Sequence, residues 1–132
     1  MFTLDETSRM VEKMVRGWCE TKLAPKLPAL EAGTEMPWAL MRELATTFGV
    51  AGLAEAAAQK RIAKLRAGGD ASTRDGSGSL GGDPMMMAVF VKELSRVSPG
   101  FAMGWGVSVG LAGGAILAKG TADQIERWGI PL

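Results

Sequence analysis

Residues 100–118 run for nineteen positions without a charge, and six of the nineteen are glycine. Glycine in a helix interior costs about 1 kcal/mol relative to alanine. A stretch that tolerates this must recover the loss by packing, by binding or by lying in a bilayer. Arg96 and Lys119 flank it. The length is just sufficient for a membrane span, and Gly106 with Gly110, and Gly110 with Gly114, have the small-xxx-small spacing of membrane helix pairs. Against a span, it would stand alone, with little charge asymmetry, among helices that are amphipathic. A helix inside a soluble bundle is the reading carried forward, and no membrane span is expected.

The rest of the composition excludes more than it suggests. With 132 residues the chain suffices for one domain with a modest core. The net charge of +1 gives no basic field for nucleic acid. There is no histidine and only one cysteine, Cys19. A metal site, a Ser/His/Asp triad and a Cys/His pair are therefore all disfavoured. Cys19 has no internal disulfide partner, so a reducing, cytoplasmic compartment is expected. Met1 to Glu6 lack the basic and apolar regions of a signal peptide.

Helical spacing recurs along the chain, and no strand is predicted. Thr3 and Glu6 fit a capping box, with a helix to about Leu23 whose face holds Val11, Met14, Val15, Trp18 and Lys22. Pro25 and Pro28 close or kink it, and residues 29–35 read as a polar passage. Pro37 opens a second helix carrying Trp38, Met41, Leu44, Ala45 and Phe48, capped by Gly49. Val50 to Leu53 read as a short apolar piece inserted in the core. A solvated helix follows over 54–67, then a flexible loop over about 68–83. That loop lacks the Gly-Lys-Ser/Thr ending of a phosphate cradle. Pro84 starts a strong helix, Met85 to Arg96, with Met86, Val89, Phe90 and Leu94 inward and Lys92, Glu93 and Arg96 outward. Ser98-Pro99 starts the glycine-rich helix, Gly120 ends it, and Thr121 caps a last helix to about Trp128. The pairs Glu31/Glu35 and Asp5/Glu6 read as solvated, and Glu93 as an ion-pair partner of Lys92 and Arg96. On residue chemistry alone this is an all-α bundle of about five or six helices, forming a single domain over 1–132 with no autonomous active site.

Several segments, taken in order, resemble a known family. Val91-Lys92-Glu93-Leu94-Ser95-Arg96 with Ser98-Pro99-Gly100 is similar to the Glu-Leu-Ala-Arg segment of the acyl-CoA dehydrogenases. Lys119-Gly120-Thr121 with Gln124 and Pro131-Leu132 resembles their Gly-Thr…Gln…Leu-Pro segment. Trp38 to Leu44 with Phe48-Gly49-Val50-Ala51-Gly52-Leu53 resembles their Trp…Gly-x-x-Gly segment. Leu23-Ala24-Pro25 matches the end of their first helix, and Gly81-Gly82-Asp83 stands at their Gly-Gly loop. Residues from about Ala56 to Ser79 form a longer insertion than the family usually carries.

The resemblance covers the family's N-terminal helical domain; its central β-domain, its C-terminal helical domain, its flavin-binding segment and its catalytic glutamate have no counterpart in these residues. It implies part of an FAD-dependent enzyme that dehydrogenates an acyl-CoA at the α,β bond and passes electrons to an electron-transferring flavoprotein. FAD would belong to the complete enzyme and not to this chain alone. The glycine-rich helix would then form one wall of the acyl pocket, through Ala102, Met103, Gly106 and Gly110. Their small side chains imply room for a bulky, branched or ring-containing acyl group. The alternative for the glycines is close approach of a neighbouring helix. Association with the other domains, or as a homo-oligomer, is also implied. The competing function is a non-catalytic helical module that binds a partner chain or an acyl group.

Overall fold

The computed structural model describes residues 5–69 and 84–130, and all regular structure among them is helical. Helix α1 (Glu6–Trp18) is capped by Asp5, whose Oδ1 accepts from the Ser8 backbone N–H at 2.7 Å. The expected cap, Thr3, lies outside the described residues, and the helix begins only after Asp5. Ser8, Val15 and Trp18 are its buried residues, while Met14 is 53% exposed and Lys22 is exposed. The reason lies just downstream. Cys19–Leu23 is a π-helical turn, in which residue i+5 replaces i+4 on a given face. Leu23, five after Trp18, therefore takes the buried position expected of Lys22.

The prolines redirect the chain without ending helical structure. A 3₁₀ turn (Ala24–Lys26) runs into α2 (Leu27–Glu31), with Pro25 and Pro28 in first-turn positions where a missing N–H costs nothing. Helix thus reaches Glu31, inside the expected polar passage. Gly33 adopts φ 69° beyond it.

Helix α3 (Trp38–Thr47) buries Leu40 and Leu44 and leaves Trp38 55% exposed. Gly49, at φ 71°, stops it. Helix α4 (Val50–Arg66) starts at once, so Val50 to Leu53 are its first turn. Val50 is buried, but Leu53 faces solvent, so this is not a core insertion. Ala58 and Ile62 are also buried, so α4 is less solvated than its composition suggests. The expected loop over 68–83 lies, from residue 70 onward, outside the described residues.

Helix α5 (Pro84–Val97) buries Val89, Phe90 and Leu94 as expected. Its Glu93 is fully buried as well, not outward. Next come α6 (Pro99–Trp105), a π-helical segment (Gly106–Gly113) and α7 (Gly114–Lys119), which form one continuous helix. It is long and apolar enough to cross a membrane, a property shared with core helices of soluble proteins. Gly120 breaks it. Thr121 then makes a full capping box with Gln124 at α8 (Ala122–Gln124), which continues as a π turn (Ile125–Gly129).

The described residues fall into two compact units. In the first, residues 5–42 and 84–104, α1 packs along α5. Trp18 meets Phe101 with ring centroids 6.4 Å apart. Leu23 and Leu94 are fully buried there, a burial that contributes about 1.5–3 kcal/mol for each such side chain. In the second unit, residues 43–69 and 105–130, Ala58, Ile62 and Ile125 form a core joined by Leu65, Ile116 and Leu117.

Candidate functional site

The glycine-rich helix is launched by Ser98. Its hydroxyl accepts from the Phe101 N–H at 3.1 Å, and Pro99 occupies the first turn, where it is tolerated. Phe101 and Ala102 are buried, and Trp105 is almost completely so. Of the four residues expected to line a pocket, Ala102 is thus turned inward. Met103 is 68% exposed, Gly106 is half-buried and Gly110 is exposed. Met103, Gly106 and Gly110 lie three and four positions apart, on one side of the helix.

Which glycines serve packing can be read from the space a Cβ would meet. At Gly104 it would lie 3.1 Å from the Cε of Met41, tight enough that the side chain must give. At Gly106, Gly110 and Gly114 it would meet no atom within 4 Å. Close approach therefore belongs to Gly104, whereas Gly106, Gly110 and Gly114 border open space and Gly113 is buried. Met103, Val107 and Leu111, four residues apart, stand exposed beside them. The result is an uncharged strip with apolar ridges and bare backbone between them, a surface suited to an apolar chain or ring.

The polar feature of the first unit is of another kind. Glu93 is buried, and Arg16 donates to both of its oxygens, Nε to Oε2 and Nη2 to Oε1, each at 2.9 Å. Arg96 Nε donates to Oε2 at 3.2 Å, and Lys92 Nζ lies 3.4 Å from Oε1. Arg96 also reaches Glu20 at 2.7 Å, and Lys92 pairs with Glu12. Three acids and three bases thus close a neutral network. The Arg16 hydrogen bonds outweigh desolvation and hold the Glu93 carboxyl down to about 2. A general base works best with a pKa near the working pH, so Glu93 is a structural anion and not a proton acceptor. Beside it, burial pushes the Cys19 thiol up to about 11, and the Glu93 charge adds to the effect. The thiol is inert by the same logic.

The ion-pair role of Glu93 with Lys92 and Arg96 was legible in the sequence. Its main partner, Arg16, lies 77 positions away and was not. A signal did exist: Glu93 falls four after Val89 and three after Phe90, on the spacing of the buried face. Among the described residues no group of three or more acidic, cysteine or histidine side chains could hold a metal.

Comparison with known proteins supports the sequence resemblance. Residues 68–132, which include α5 and the glycine-rich helix, match the family described as acyl-CoA dehydrogenase, N-terminal domain. The chain is 28% identical over 128 residues to the caffeyl-CoA reductase–Etf complex subunit CarC of Acetobacterium woodii, covering 96% of the chain and 29% of that protein. It therefore spans under a third of the relative's length. No solved structure matches it. Over residues 68–132, just under half of its length, the chain matches the N-terminal domain of the acyl-CoA dehydrogenase family, and the all-α fold of the described residues is in keeping with that match.

Proposed function

We propose that the chain is the N-terminal part of a flavin-dependent oxidoreductase acting on the α,β bond of an acyl-CoA thioester, and that the α6–α7 helix forms one wall of its acyl pocket. The observation that carries this is the open space over Gly106 and Gly110, beside exposed Met103, on an uncharged helix within the family match. The strip favours a bulky, branched or ring-containing acyl group. The name of the Acetobacterium relative, a caffeyl-CoA reductase, supports a ring-bearing substrate. The same name supports an electron-transferring flavoprotein as redox partner.

The strip does not fit FAD itself. From Pro99 to Ala118 the hydrogen-bonding side chains are those of Trp105 and Ser108, too sparse a set for a flavin's polar ring edge or pyrophosphate. The flavin and the base that takes the α-proton are accordingly assigned to other parts of the enzyme. This helix contributes by confining the acyl chain, which favours reaction by orientation.

The test is to purify the protein carrying this chain and record its visible spectrum before and after adding acyl-CoA thioesters. A yellow protein whose flavin is bleached by a bulky saturated acyl thioester, or whose reduced flavin is re-oxidised by the α,β-unsaturated counterpart, supports the reading. In a Gly106→Leu variant, kcat/KM for the bulky thioester should fall about tenfold or more, and that for a short straight chain should change less. Unchanged turnover of the bulky thioester would overturn the wall. A protein without flavin would favour the non-catalytic module.

A further inference from the structure

We draw no further inference here: the strongest candidate, the uncharged face of the α6–α7 helix where Met103, Val107 and Leu111 stand exposed beside Gly106 and Gly110, belongs to the wall already described, and nothing in the structure shows what else covers it.

Discussion

Arg16 holds Glu93 through both carboxylate oxygens, at 2.9 Å each, and so ties α1 to α5. Removing Arg16 leaves the buried Glu93 carboxylate with only Arg96 and Lys92 to compensate its charge. Arg16→Met should therefore lower the urea midpoint, though by less than loss of a fully buried partner would, because the Arg16 side chain is 43% exposed. The double variant Arg16→Met/Glu93→Met should lose less than the sum of the two single variants. Urea denaturation of the four proteins measures this directly. Additive losses would show that the pair is uncoupled.

The same carboxylate makes stability depend on acid. Its folded value of about 2 lies below the ordinary 4.5. A depressed folded value means that the contribution is complete above about 4.5 and is lost as pH falls toward 2. The Asp5 carboxyl, lowered by its bond from the Ser8 N–H, adds a smaller loss of the same sign. Glu93→Gln should flatten the acid limb of a plot of denaturation midpoint against pH. An unchanged limb would assign the acid loss to other groups.

Two glycines should respond oppositely to alanine. At Gly120 a Cβ would fall 2.5 Å from the Ile116 carbonyl oxygen and 3.2 Å from Ile125 Cγ1. Gly120→Ala should cost about 1–3 kcal/mol, as overpacking does. At Gly110 the space is open, so Gly110→Ala should stabilise the helix by up to about 1 kcal/mol. If Gly110 lines the acyl pocket, that more stable variant should nevertheless turn over bulky thioesters more slowly. Thermal unfolding and steady-state kinetics on the same samples separate the two effects.

Thr121 and Gln124 satisfy each other's backbone N–H groups, at 3.2 and 2.9 Å. Thr121→Ala should cost about 1 kcal/mol, and Thr121→Ser much less. A comparable loss for both would point to the lost methyl group instead of the cap.

Cys19 is fully buried, with its thiol raised to about 11. An aromatic disulfide reagent should leave it untouched in the native protein and react once urea unfolds the chain. Rapid native labelling would mean that α1 opens readily at its C-terminal end.

Much of the helical framework was legible because short-range chemistry sets it. Gly49 at φ 71° and Thr121 at its cap act within a few residues of themselves, so their roles can be read locally. Burial was harder to read. Lys22 and Leu23 exchange places because of a π turn that no residue type announces. Glu93 reads as outward because charge usually goes to solvent, and its largest compensating partner, Arg16, is distant in sequence. Asp5 capped the first helix in place of Thr3, since both residues have the right chemistry and propensity does not choose between them. In the candidate site, the small size of Gly106 and Gly110 was evident, but their open surroundings were not. Gly104 shows why: the same residue type, two positions away, is there for Met41.

The π-helical segment from Gly106 to Gly113 also bears on how this helix could change over evolution. Bonding from i to i+5 accommodates an extra residue relative to i to i+4. Loss of one residue there can be absorbed by tightening to ordinary α-helix, leaving the flanking turns in register. In α5 no such slack exists, and a single deletion would swing Glu93 by about 100° away from Arg16. Length variation among relatives should therefore gather in the glycine-rich segment and avoid the helix before it.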